Sequence, residues 1–342
     1  MANTMTVAPV LLFTYSRPEH TRTVLKALEE NDMADRTAIY AYTCEPKKAE
    51  HASAVSETKD VLKEFQKKNG FLSFEIVDPG KHVHLGPGMI SAVTGVLAKH
   101  DKVIIIEDDI VTSKDFLRFM NEGLDFYQDD LSVFTVAGYS PKMPEIAAME
   151  KDVYMIHRTC PWGWGTWKER WDCYDPEIRT FISNMLDRRY RRSLTKWTPD
   201  LPLVLDIRLF AKGIVDIDWE MPLGFCQFNT QMNTVCPKFT KVKNIGFDGT
   251  GANPTPKGLD SSFEEGWSGN NFEHLQIDEK FLKRYNRLFI YRTRTRIMIR
   301  LTNLIHLISP SLYYRILNIY CHNDIKVKDL MAKYGSDEND IQ

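Results

Sequence analysis

The sequence predicts an α/β fold: a mostly parallel central sheet flanked by helices, with a helical, basic C-terminal appendage. Three observations predict it. Val103-Ile104-Ile105-Ile106 is an unbroken run of β-branched residues, as in strands buried on both faces, and Glu107-Asp108-Asp109 follows at once. Short apolar runs alternate with amphipathic stretches from residue 7 to residue 110, in the β-α-β-α-β-α-β order of a doubly wound sheet. From Lys280 onward, arginines interleave with apolar residues, the pattern of basic amphipathic helices.

Val7 to Phe13 reads as the first buried strand. It runs into Thr14-Tyr15-Ser16-Arg17-Pro18-Glu19-His20 and then a helix with Val24, Leu25 and Leu28 on one face. Ser16 is the expected N-cap, with Pro18 in the first turn. Such a strand-to-helix turn offers backbone N–H groups and a positive dipole end to a phosphate, and Arg17 adds a fork-shaped cation suited to a diphosphate. Thr37 to Thr43 is a second strand ending at Cys44-Glu45-Pro46, and residues 47–69 a charged helix with Val55, Val61, Leu62 and Phe65 inward. Phe71 to Val77 is a third strand. A flexible loop through Gly80, His82, His84, Gly86, Pro87 and Gly88 then leads to a helix from Met89 to Lys99. The His82/His84 pair has no third metal ligand nearby and reads as a solvated or hydrogen-bonded pair.

The acidic triplet emerges at the C-terminal edge of the fourth strand, where open α/β sheets bind ligands. Three adjacent like charges call for a positive partner. A hard divalent cation, Mn²⁺ or Mg²⁺, suits oxygen ligands and keeps positions open for substrate phosphates. The competing reading is a turn before the helix Asp115 to Tyr127, capped by Ser113. Ser132 to Ala137, after that helix, reads as a fifth strand.

The second half changes character. Trp162, Trp164, Trp167 and Trp171 lie within ten residues, beside Gly163 and Gly165. Glycines next to the rings suggest a close-approach loop whose aromatic faces stack on sugar; a structural plug is the alternative, and Trp167 and Trp171, at i and i+4, fit a core pair. Asp206 to Lys212 reads as a short helix ending at Gly213, followed by an acid-bearing strand, Ile214 to Glu220, that carries Asp216 and Asp218. Asn244-Ile245-Gly246-Phe247-Asp248-Gly249-Thr250-Gly251-Ala252-Asn253 is a glycine-rich loop fit to close as a lid; it lacks the dinucleotide fingerprint.

Composition sets the outer bounds. At 342 residues, 43% hydrophobic and 26% charged, the chain has ordinary globular content, and its net charge of −2 gives no general attraction to nucleic acid. None is expected as a partner. Six cysteines, Cys44, Cys160, Cys173, Cys226, Cys236 and Cys321, contain no C-x-x-C, which points to a reduced, intracellular protein. The start is short and polar, unlike a signal peptide, and no run approaches the roughly 20 apolar residues of a membrane span. The arginines Arg284, Arg287, Arg294, Arg296, Arg300 and Arg315, set among Leu288, Ile297, Leu301 and Leu304, suit the face of an anionic membrane.

Taken together, Leu12 to Pro18, Ile106 to Ile110 with Asp115-Phe116, Trp162 to Trp167, and Asn244 to Gly251 resemble the motifs of GT-A glycosyltransferases. More closely, they resemble the N-acetylglucosaminyltransferase I group and its bacterial capsule and lipopolysaccharide relatives. The resemblance spans roughly residues 7–253 and leaves out the basic tail. It implies a Rossmann-like GT-A domain over 1–260, with a nucleotide-sugar half at 1–140 and an acceptor half at 141–260. A helical basic segment at 261–335 and a disordered tail at 336–342 would follow.

The activity implied is inverting transfer from a nucleotide sugar, often a uridine diphosphate sugar, with Mn²⁺. The acceptor would be a hydroxyl of a surface-polysaccharide or lipid-linked precursor, handled in the cytoplasm at the inner face of the membrane. The resemblance places the metal on Asp109, Glu107 and Asp108 toward ribose and donor sugar, and Arg17 on the diphosphate. Thr14, Tyr15, Cys44, Glu45 and Trp164 join the donor-binding set. Cys44 stands where the family usually has a uracil-reading aspartate, and Asn253 where bacterial relatives have a histidine. The family's base lies after the tryptophan loop: Asp206 fits by order, with Asp216, Asp218 and Asp200 as rivals. Two other classes remain: a sugar nucleotidyltransferase, which would carry a glycine- and arginine-rich loop after the first strand, and a membrane-associated carbohydrate-binding protein using the tryptophans.

Overall fold

The computed structural model describes residues 6–68, 70–212, 219–247, 271–290 and 293–334. The described chain forms two compact units. Unit 1 takes in residues up to 156, 160–172 and 233–276; unit 2 takes in 157–159, 173–232 and the residues from 277 on. The division differs from the expected boundary at 260, because residues 173–232 belong with the C-terminal helices.

Unit 1 is built on an eight-stranded sheet. Its strands are β1 (Val10–Phe13), β2 (Ala38–Tyr42), β3 (Ser73–Val77), β4 (Lys102–Glu107), β6 (Val133–Ala137), β7 (Val153–Ile156), β8 (Trp164–Trp167) and β9 (Asn233–Pro237), while β5 (Ile110–Thr112) and β10 (Val242–Asn244) form a separate pair. The order is β3-β2-β1-β4-β8-β6-β9-β7. Pairing directions set β1, β2, β3, β4, β6 and β9 one way, with β7 and β8 opposed. This is the mostly parallel α/β sheet that the sequence predicts.

The central strands are apolar throughout and sealed: Val10, Leu11 and Leu12 have no exposed surface, and Val103 to Ile106 at most 1%. Helices α1 (Pro18–Glu29), α2 (Ala52–Gln66), α3 (Leu85–Leu97) and α4 (Phe116–Phe126) connect the strands. Helix α1 buries Thr21, Val24, Leu25 and Leu28, and α2 buries Val55, Thr58, Val61, Leu62 and Phe65, the spacing of one apolar helical face. Each such Leu, Val or Phe contributes about 1.5–3 kcal/mol by leaving water.

Three local expectations are corrected. Arg17, not Ser16, is the N-cap of α1, and no side chain caps it. Helix α3 begins at Leu85 rather than Met89, because Pro87 sits in the first turn, where its missing N–H has no helical partner to lose. Ser113 does not cap α4; its hydroxyl donates to Asp115 Oδ1 at 2.7 Å.

Unit 2 is helical. Its helices are α5 (Arg179–Ser183), α6 (Arg188–Trp197), α7 (Leu201–Lys212), α8 (Glu220–Thr230), α9 (Glu279–Phe289), α10 (Thr293–Ile308), α11 (Pro310–Cys321) and α12 (Val327–Tyr334). Glu220, expected to close a strand, instead opens α8. Ile178, Phe181, Ile182, Leu205, Phe210 and Phe225 centre one apolar core, joined by Tyr313, Tyr314 and Leu317 of α11. On the outer side, Leu312, Ile316 and Ile319 of α11 are 48%, 44% and 76% exposed. Among the described residues no helix is long and apolar enough to cross a membrane.

Candidate functional site

The parallel pairing of β1 with β4 sets Phe13 level with Glu107. The residues after each strand therefore emerge at one edge: Thr14, Tyr15 and Arg17 from one, Asp108 and Asp109 from the other. Arg17 is the hub. Its guanidinium pairs with Asp108 Oδ1 through one nitrogen and lies 3.1 Å from Asp109 Oδ2 through the other. Burial would lower the pKa of Arg17, but the two carboxylates raise it. Asp108 is 3% exposed; burial pushes its carboxyl up to about 6, against the opposing pull of Arg17. The Tyr15 amide donates to Asp108 Oδ2 at 3.4 Å.

The glycine-rich segment reaches the same point for a definite reason. Strand β10 pairs with β5, Asn244 against Ile110, and the Ile245 amide donates to Asp109 O at 2.9 Å. Gly246 then lies against the cluster: a Cβ there would collide with Asp109 Oδ2 and sit 3.0 Å from Arg17 Nη1. Only glycine lets the backbone come this close. Residues 248–253 of this motif lie outside the described residues. Behind β10, Lys241 is buried and paired with Asp115. Burial alone would raise the Asp115 pKa, but hydrogen bonds from Lys241 and Ser113 hold it below the ordinary carboxylate range.

Beside Tyr15 lies the end of β2. The Tyr15 hydroxyl meets His51 Nδ1 at 2.9 Å and accepts from the Lys47 amide at 2.7 Å. Its ring centroid is 6.1 Å from that of His82, which in turn is 5.1 Å from that of His84. Cys44 is buried, its sulfur 4.0 Å from His82 Nδ1, and Glu45 pairs with Lys59. Thr14 closes the strand end, its hydroxyl donating to Tyr42 O at 2.9 Å. All six cysteines are free thiols.

No protein-family model matches the sequence, and no curated protein matches it. Among solved structures, the chain is similar to the mannosyltransferase PcManGT from Pyrobaculum calidifontis, in complex with GDP-Man and Mn²⁺ (15% identity, TM-score 0.32, 48% of this chain and 45% of that one). It is also similar to residues 1–349 of Staphylococcus aureus TarS (9% identity, TM-score 0.38, 68% and 58%). A third is CMP:2-keto-3-deoxy-manno-octonic acid synthetase with CTP (9% identity, TM-score 0.39, 83% and 98%). The chain spans less than half the length of the mannosyltransferase and 28% of a longer TarS chain. Likenesses this distant assign no activity to the chain.

Two of the expected site residues do not face the edge. Trp164 lies within β8, between β4 and β6, 1% exposed, with its ring 6.3 Å from that of Trp171. It packs the sheet instead of meeting a donor. The aromatic that stays half-exposed is Trp162, whose ring lies 4.5 Å from that of Tyr139 and 5.6 Å from that of Phe247. Gly163, at φ +63°, makes the turn that separates the two tryptophans.

Asp206, expected as a base, is wholly buried in unit 2. It pairs with Arg191 and accepts from Tyr313 at 2.7 Å and Tyr314 at 3.2 Å. Both of its oxygens are committed, and a base must reach an acceptor hydroxyl. Asp206 is a structural counter-ion. Asp200 pairs with Arg158. Asp216 and Asp218 lie outside the described residues.

Sequence reading named Gly246 and Trp162 only as members of their motifs and missed Tyr139 and His51, whose places beside Trp162 and Tyr15 depend on pairings between separate segments.

Proposed function

We propose that unit 1 binds the donor of a metal-dependent, inverting glycosyltransferase that uses a nucleotide sugar, a uridine diphosphate sugar in the first instance. The acceptor would be a hydroxyl of a bacterial surface-polysaccharide or lipid-linked precursor. One observation carries the reading: Arg17 bridging Asp108 and Asp109 at the β1/β4 edge, with Gly246 against them. The arrangement gathers a diphosphate-matching cation, carboxylates and a close backbone approach where α/β sheets bind ligands.

The donor atoms fit a hard cation, since they are all oxygen. Among the described residues, no three or more His, Cys, Asp or Glu converge as a metal group. A Mg²⁺-like ion held by one or two carboxylates takes its other ligands from phosphates and water, so Asp109, with Asp108 or Glu107 near it, would be enough protein. When bound, the ion supplies Lewis-acid stabilisation of the leaving diphosphate. Arg17, relieved of Asp109, would turn to that diphosphate. The acceptor oxygen attacks the anomeric carbon, the bond from that carbon to the diphosphate oxygen breaks, and a carboxylate takes the hydroxyl proton. Asp216 and Asp218 hold the place of candidate base, with Asp206 removed by its burial. Trp162 is the aromatic we assign to the sugar.

Unit 2 would hold the protein on an anionic membrane surface, supported by the exposed apolar residues of α10 and α11 among arginines. The test of the reaction class is to incubate the protein with UDP-, GDP-, CMP- and dTDP-sugars, and separately with nucleoside triphosphates and sugar phosphates. Release of a nucleoside mono- or diphosphate from a nucleotide sugar is expected. Release of pyrophosphate from a triphosphate would instead establish a nucleotidyltransferase.

A further inference from the structure

Unit 2 contains a cleft of about 740 Å³. Lys196, Lys283, Arg287, Arg296 and Arg300 line it with a single carboxylate, Glu279. Lys196, Lys283, Arg287 and Arg300 are all exposed, and none of the four has a carboxylate partner among the described residues. Its remaining walls include Leu282, Ile290 and Ile299, which are buried, and the indole of Trp197. Such a lining offers phosphate-matching donors above an apolar floor.

Helix α10 connects this cleft to a second feature. Arg296, Ile299 and Arg300 face the cleft, while Ile297, Leu301, Leu304 and Ile308 are 52%, 53%, 52% and 66% exposed. Steps of four, three and four residues put those apolar side chains in one narrow stripe, and at about 100° per residue Arg300 falls between the stripe and Arg296. A ligand that is charged at one end and apolar along its length matches both features. A diffuse basic face for nucleic acid would not need the stripe.

We propose that this cleft binds the terminal phosphate of a phosphorylated amphiphile whose chains lie along the exposed stripe of α10. The proposal deepens the membrane and lipid-linked-acceptor reading by naming the group recognised, and it does not depend on the nucleotide site. The cleft should therefore prefer an exposed phosphomonoester, which can enter, to a phosphodiester headgroup of anionic charge, which cannot present three free oxygens.

The test uses the full chain and co-sedimentation with phosphatidylcholine vesicles containing either phosphatidic acid or phosphatidylglycerol, with inorganic pyrophosphate as a soluble competitor. The wild type is expected to bind the phosphatidic acid vesicles at least about tenfold more tightly, a difference of about 1.4 kcal/mol. Lys283→Gln/Arg287→Gln/Arg300→Gln should erase that preference; all three positions are exposed, so the thermal midpoint should stay unchanged. Leu301→Ser/Leu304→Ser should weaken binding to both vesicle types while competition by pyrophosphate persists. Arg17→Gln should leave the preference intact, which separates this site from the nucleotide site. Equal binding to both vesicle types, or a preference that survives the triple substitution, would overturn the proposal. Binding of single-stranded RNA in place of vesicles would do the same.

Discussion

Replacing Asp206 with alanine should destabilise unit 2 rather than disable a catalyst. In the folded protein Asp206 is the counter-ion of Arg191, whose side chain is 3% exposed, and the acceptor for Tyr313 and Tyr314. Arg191 also donates to Asn303 Oδ1 at 3.1 Å and to the Tyr313 hydroxyl at 3.2 Å. The carboxylate keeps the Arg191 pKa raised against the effect of burial, so the substitution strands a buried cation. Breaking such a pair costs about 3–5 kcal/mol. With a urea slope of about 2–3 kcal/mol per molar, the unfolding midpoint should fall by roughly 1–2.5 M. Urea titration followed by far-ultraviolet circular dichroism and by tryptophan fluorescence, to which Trp197 and Trp219 of the same unit contribute, reads this. The pair Arg191→Met/Asp206→Leu should recover most of the loss, because an apolar replacement of a buried ion pair is often neutral or better. An Asp206→Ala protein with the wild-type midpoint and abolished sugar transfer would refute the reasoning and restore Asp206 as the base.

Gly246→Ala should weaken nucleotide binding by at least about tenfold, since a Cβ there collides with Asp109; calorimetry against the wild type checks it. Trp164→Ala should cost about 3–5 kcal/mol of stability, whereas Trp162→Ala should leave stability near wild type and lower kcat/KM for transfer without changing affinity for the free nucleotide. The Asp115–Lys241 pair gives a pH signature. The folded Asp115 pKa lies below its unfolded value of about 3.9, so its contribution is present above that value and is lost as pH falls through the folded one. Asp115→Asn should thus destabilise the protein at neutral pH by about 1–3 kcal/mol and flatten the acid limb of its stability profile; an unchanged acid limb would rule the pair out as the cause.

The edge of the sheet could be read from sequence because its parts are local. Four β-branched residues ending in acids fix both the strand and where its carboxylates emerge, and Arg17 follows β1 by only a few positions. Asp206 failed as a base for the opposite reason. Its partners Arg191, Tyr313 and Tyr314 are 15, 107 and 108 residues away, and no periodicity in α7 announces that α11 will close over it. The tryptophans show the same limit at short range. Strand pairing buries Trp164, and the turn at Gly163 leaves Trp162 half-exposed, a distinction that depends on register more than on composition. Residues 173–232 look continuous with the sheet domain in sequence, yet their apolar core is shared with the C-terminal helix α11.

The central claim is that the β1/β4 edge binds a nucleoside diphosphate with a divalent cation. Isothermal titration of the purified chain with UDP, GDP, CDP and dTDP, each with and without Mn²⁺, tests it most directly. Mn²⁺-dependent binding of one nucleotide, weakened at least about tenfold by Asp109→Ala and by Arg17→Gln, is the result the geometry predicts. Failure of all four to bind, with Mn²⁺ present, would contradict it.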